Sequence, residues 1–142
     1  MPIPSKEIQD YFLKKGRNAI WAMNGTDRGP NMTPYWYLWA EETGKFLIST
    51  LDWVAKVKDL RNDPNMSLLI DDPTSNLGLY VLVYGKGVVR GPGPDAVDGS
   101  IKLIRKYRYS DEATWQHWNE INAKGDRVVV EMTPDKWVWR DV

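Results

Sequence analysis

The 142-residue chain carries 19 Lys+Arg against 19 Asp+Glu, and this balance argues against broad electrostatic binding to nucleic acid or an anionic membrane. It has no cysteine and one histidine, which excludes disulfides, thiolate nucleophiles, thiolate metal sites and a multi-histidine metal centre within one chain. Its length suits a single domain over residues 1–142, able to bury a real core.

"SKEIQDYFLKKG" reads as a short helix, capped by Ser5, with Ile8, Tyr11 and Phe12 on one face and Gly16 at its end. The N-terminus "MPIPSKEIQDYFLKKG" lacks the apolar core of a signal peptide, and no apolar run is long enough to span a membrane, so a cytoplasmic location is expected. "NAIWAMNG" reads as a strand and "NGTDRGPN" as a turn. "MTPYWYLWA" reads as one aromatic strand, with Tyr35, Tyr37 and Trp39 alternating onto one face. "EETGK" is a hairpin turn and "KFLIST" the next strand.

A short helix follows. Asp52 is the expected N-cap, and Trp53, Val57 and Leu60 are spaced to pack inward. "NDP" stops it, because the residue before a proline avoids the helical region. "MSLLID" is a buried-type strand, "DPTSNLG" a loop, and "LYVLVYGKGVVR" a long strand whose Gly-Lys-Gly predicts a bulge or bend. After "GPGP" come two helices, "DAVDGSIKLIRKYRY" and "SDEATWQHWNEINAKG". The second is capped by Ser110, with Glu112 in its first turn. "DRVVVEM" and "DKWVWRDV" read as two closing strands. Mostly strands with short helices between them predict a mainly β (α+β) fold, a small closed or nearly closed antiparallel barrel.

Four stretches in this order resemble the split β-barrel superfamily of pyridoxamine-phosphate-oxidase-like, flavin- and deazaflavin-binding proteins. They are "NAIWAMNGTDRGPNMTPYWYLW", "KFLISTLDWVAKVKDLRNDPNMSLLIDD", "YVLVYGKGVV" and "DRVVVEMTPDKWVWRD". The run "K-x-x-DLR-x-DP-x-x-SLL" is the most specific. The resemblance covers nearly the whole chain. It implies a split barrel of the FMN-binding type with peripheral helices, a homodimer, and two equivalent sites at the dimer interface. The implied ligand is FMN or the deazaflavin coenzyme F420, with heme or another planar molecule in a few relatives.

Such a cofactor needs cations and free N–H groups for its phosphate, and a flat apolar slot with polar donors for its ring. Ser49, Thr50 and Lys56 are the phosphate candidates, because a helix start offers unpaired N–H groups and a positive dipole end. Val54 and Ala55, at that helix start, belong to the same set. By resemblance, Lys56 aligns with the family's phosphate lysine. Lys58 and Arg61 read as solvated. Many FMN-binding relatives carry a second basic residue just before the lysine; here the stretch is "WVAK". A single cation suits the phosphodiester of F420 better than the doubly charged phosphate of FMN, so F420 is slightly preferred.

Asn31, Pro34, Tyr35 and Trp36 are the ring candidates, and the resemblance adds Tyr80 from the partner subunit. Trp137 and Trp139 read as core or dimer contacts. Lys102, Arg105, Lys106 and Arg108 read as a solvated helix face that can also meet the polyglutamate tail of F420. His117 reads as a surface or packing residue. No catalytic residue and no metal site is assigned. The expected function is hydride transfer from reduced F420 or FMN to an organic substrate. The alternative is a non-catalytic protein that binds or stores flavin, F420 or heme. Pyridoxamine-phosphate oxidation itself is disfavoured, since the chain is short and lacks a substrate-phosphate arginine set.

Overall fold

The structure is a computed structural model that describes residues 2–74, 78–107 and 112–140. The proposed cap Ser110 and the helix residue Arg108 lie outside the described residues. The elements in chain order are α1 (Lys6–Phe12), β1 (Ala19–Met23), β2 (Asn31–Tyr35), β3 (Leu38–Ala40), β4 (Lys45–Leu51), α2 (Ala55–Asn62), β5 (Asn65–Asp71), β6 (Tyr80–Arg90), α3 (Pro94–Lys106), α4 (Glu112–Ala123) and β7 (Arg127–Arg140). Every strand pairing is antiparallel, in the order β2-β1-β5-β6-β7-β4-β3. The sheet curls into a split half-barrel with short helices around it, as the sequence predicts.

Alternation builds the core. β1 and β4 bury every second residue, and Trp21, Phe46, Ile48, Leu68, Ile70 and Val81 converge inside. Burial of these large side chains is the main favourable contribution to folding. Ser5 caps α1 by accepting the Ile8 N–H, as expected.

Several expectations need correction. "MTPYWYLWA" is not one strand. β2 and β3 lie at opposite edges of the sheet, and Trp36 and Tyr37 form the corner between them. Tyr37 is buried there, with its hydroxyl donating to the Phe12 carbonyl at 2.5 Å. The corner is pinned from α3: Lys106 Nζ donates to the carbonyls of Leu13 at 2.9 Å and Tyr37 at 2.7 Å. Lys106 therefore does not sit on a solvated face, although Lys102 and Arg105 are exposed.

The two closing strands are in fact one, β7, which runs through Thr133 and Pro134. Pro134 lies opposite Gly85, at the register shift between Tyr84 and Gly85. A bulge is where a strand tolerates a residue without an N–H. The predicted irregularity at Gly-Lys-Gly is thus the reason the proline does not end the strand.

The helix α2 starts two residues later than expected. Val54, not Asp52, is its N-cap, with no side-chain cap. Asp52 instead pairs with Arg61 at 2.7 Å. Val57 and Leu60 pack inward, but Trp53 precedes the helix and is 71% exposed.

Candidate functional site

The first turn of α2 divides a surface groove into two halves. Val54 and Tyr35 line both. The polar half, a cavity of about 440 Å³, is bordered also by Arg28, Asn31, Thr33, Ala55 and Lys56. The aromatic half, about 640 Å³, is bordered by Pro34, Trp36, Ser49, Thr50, Trp53 and Trp118, with Arg127 at its wall.

The polar half is organised by Asp59. Its carboxylate accepts from the Thr26 N–H at 3.3 Å, the Thr26 hydroxyl at 2.9 Å and Asn31 Nδ2 at 3.4 Å. Burial pushes the Asp59 pKa up, but the Thr26 and Asn31 hydrogen bonds outweigh it and hold the group below its ordinary value. The turn between β1 and β2 is thereby fastened to α2.

Lys56 is 4% exposed and turns inward. Its ammonium donates to the carbonyls of Trp21 at 2.7 Å and Asn31 at 3.0 Å, and lies 4.8 Å from the Trp21 ring. Desolvation lowers its pKa to about 8, with the Asp59 charge acting the other way. An ammonium has three donors, and two are used here. The N–H groups of Ala55 and Lys56 have no protein partner among the described residues, because the first turn of a helix has no carbonyl behind it. Ala55 and Lys56 both border the polar half.

In the aromatic half Trp36 stacks on Tyr107, with ring centroids 4.6 Å apart and planes 13° apart. Trp118 on α4 tilts against Trp36 at 5.8 Å. Trp53 donates its indole N–H to Asp126 Oδ2 at 2.9 Å. Buried Thr50 meets the Tyr35 hydroxyl at 3.0 Å. Three indoles and a few polar groups thus line one cavity.

Residues 6–139 match the family described as pyridoxamine 5'-phosphate oxidase. The chain belongs to that family. No curated protein matches it by sequence. Among solved structures it is similar to an F420 reductase (17% identity, covering 96% of this chain and 98% of that one, TM-score 0.72). It is also similar to a conserved hypothetical protein from Mycobacterium tuberculosis (22% identity, 98% and 86% covered, TM-score 0.78). A third is general stress protein 26 from Bacillus anthracis (15% identity, 94% and 92% covered, TM-score 0.64). At these identities the likeness is one of fold.

Within this family member the sequence-predicted residues divide between the two halves. Asn31, Ala55 and Lys56 border the polar half, and Pro34, Trp36, Ser49 and Thr50 the aromatic half. Val54 and Tyr35 join them. Tyr80 borders neither; it lies on β6, three strands from β2, paired with Asp71 and Arg140. Lys58 is exposed, and Arg61 pairs with Asp52. His117 is exposed on α4. Among the described residues no group of His, Asp and Glu could hold a metal ion, and no helix is long and apolar enough to cross a membrane.

Sequence reasoning missed Arg28, Trp53, Trp118 and Arg127 as groove residues. Arg127 follows Asp126 after "AKG" and looks like a turn residue. Only its pairing opposite Leu51 on β4 brings it beside Ser49 and Thr50.

Proposed function

We propose that this protein binds a flavin-type cofactor in the two-part groove and acts as an oxidoreductase at a homodimer cleft. The observation that carries this is the juxtaposition of unpaired α2 N–H groups with an indole-lined slot, joined at Tyr35 and Val54. A phosphate fits the polar half, where Ala55 and Lys56 N–H, the Lys56 ammonium and Arg28 would hold it. A planar ring fits the aromatic half, between Trp36, Trp53 and Trp118 and over Ser49 and Thr50. When bound, the cofactor supplies hydride chemistry, while the protein binds, orients and shields it from water.

F420 is preferred to FMN. Two carbonyls already share the Lys56 ammonium, and Arg28 also lies 3.5 Å from Asp27, so the polar half suits a singly charged phosphodiester. A second copy of the chain would complete the site. Met32 lies beside the polar half and is 67% exposed, and Leu69, Tyr84 and Val88 are apolar and exposed on neighbouring strands. Tyr80 would reach the ring from that second copy.

Titration of the purified protein with F420 and with FMN tests this reading. Binding of F420 well below about millimolar, a level worth about 4 kcal/mol, supports it. Failure of both to bind at that level defeats it. Consumption of reduced cofactor with an unsaturated acceptor supports the enzyme. Binding without turnover across many acceptors supports a carrier instead.

A further inference from the structure

Arg127 opens β7, and its side chain forms part of the wall of the aromatic half. It is only 7% exposed. Nη1 donates to Ser49 Oγ at 3.5 Å, the guanidinium carbon sits 5.7 Å from the Trp118 ring, and Nε has no partner. Among the described residues no carboxylate lies within ion-pair distance of it. The adjacent Asp126 turns Oδ2 to the Trp53 indole instead. Desolvation lowers the Arg127 pKa from its ordinary value, with the charges of Asp126 and Tyr35 acting the other way, and the group remains charged.

A guanidinium offers five N–H donors in a fixed fork, and most of these are unmet. A buried charge with one long hydrogen bond destabilises the fold unless something pairs with it. The walls around it are flat: Trp36, Trp53 and Trp118 border the same cavity. We propose that Arg127 and Ser49 form an oxyanion subsite in the aromatic half, built for a planar conjugated ligand with a negative oxygen on its edge. That oxygen has two chemical sources. One is the ring of the proposed cofactor in its reduced, anionic form, and this arm rests on the reading given above. The other is the carboxylate of an aromatic acid used as substrate.

The test titrates the full chain, free of cofactor, with naphthoate and with neutral naphthamide, followed by tryptophan fluorescence. The native protein should bind the acid about tenfold more tightly than the amide, the scale of one charged hydrogen bond. Arg127→Met should abolish that preference, and Arg127→Lys should restore part of it. Ser49→Ala provides a second variant and should weaken the acid alone. Equal binding of acid and amide by the native protein overturns the proposal. So does a preference that survives Arg127→Met.

Oxidised and reduced F420 then separate the sources. A loss in Arg127→Met confined to the reduced form assigns the oxygen to the cofactor. Unchanged binding of both forms by Arg127→Met, with the naphthoate preference gone, assigns it to an acid substrate. If the native protein binds neither form but prefers naphthoate, and Arg127→Met loses that preference, the cofactor reading fails and the subsite stands.

Discussion

The Tyr35 hydroxyl lies 3.0 Å from the Thr50 hydroxyl. This contact ties β2 to β4, which are not neighbours in the sheet. It also stands where the two halves of the groove meet. Tyr35→Phe should therefore cost about 1 kcal/mol in urea unfolding, because buried Thr50 loses its partner. Thr50→Val added to Tyr35→Phe should recover part of that loss. An additive double variant would show that the two hydroxyls do not depend on each other.

Two inward lysines give the fold an alkaline dependence. Desolvation lowers Lys106 to about 7, and desolvation, partly opposed by Asp59, lowers Lys56 to about 8, both from an ordinary value of 10.5. Between those values the unfolded chain binds more protons than the folded one. Stability contributed by each lysine therefore rises with pH, from its folded value up to its unfolded value. Melting temperatures from pH 7 to 10 should show this as a positive slope relative to Lys106→Met, and a smaller one relative to Lys56→Met. A native protein that parallels Lys106→Met throughout would place the Lys106 ammonium in water. Lys56→Met should also weaken cofactor binding, by roughly 1.5–3 kcal/mol if its third donor reaches the phosphate.

The bulge sets a steric order between two glycines. A Cβ on Gly85 would collide with the Thr133 carbonyl, which is backbone. On Gly87 it would meet Met66 Sδ at 2.6 Å and Leu60 Cδ2 at 2.9 Å, which are the ends of flexible side chains. Gly87→Ala should cost about 1–3 kcal/mol, the usual penalty of overpacking, and Gly85→Ala more. Denaturant midpoints of the two variants check this, and the reverse order would contradict the bulge geometry.

Much of the barrel was legible because alternation and turn residues are local signals. The strands "NAIWAM", "KFLIST" and "MSLLID" and the Gly-Lys-Gly irregularity are all written in short windows. The corner at Trp36 and Tyr37 was not, since aromatic alternation continues through it. What bends the chain there is distant: Lys106 and Tyr107, some 70 residues on, bond to Tyr37. Pro134 misled for the opposite reason, because its effect is absorbed by a bulge on the neighbouring strand. The helix start at Val54 hides as well, since no side chain caps it and Asp52 is drawn to Arg61. In the site, Lys56 could be found from its motif, but its inward turn toward two carbonyls depends on where β1 and β2 run. Arg127 depends on a register between β4 and β7 that no short window contains.

The seat of the phosphate on α2 has a direct test in Ala55→Pro. Ala55 is exposed and occupies the first helical position, where proline is tolerated. Val54 before it is already extended, at φ −71° and ψ 151°, as a residue preceding proline should be. The substitution removes one N–H from the polar half and leaves the helix intact. Affinities of Ala55→Pro for FMN or F420 and for phosphate-free riboflavin should be measured beside its unfolding curve. The expected result is unchanged stability, unchanged riboflavin binding, and about a tenfold loss for the phosphate-bearing ligand. A variant that folds normally and binds the phosphorylated cofactor as tightly as the native chain would show that the phosphate does not sit on α2.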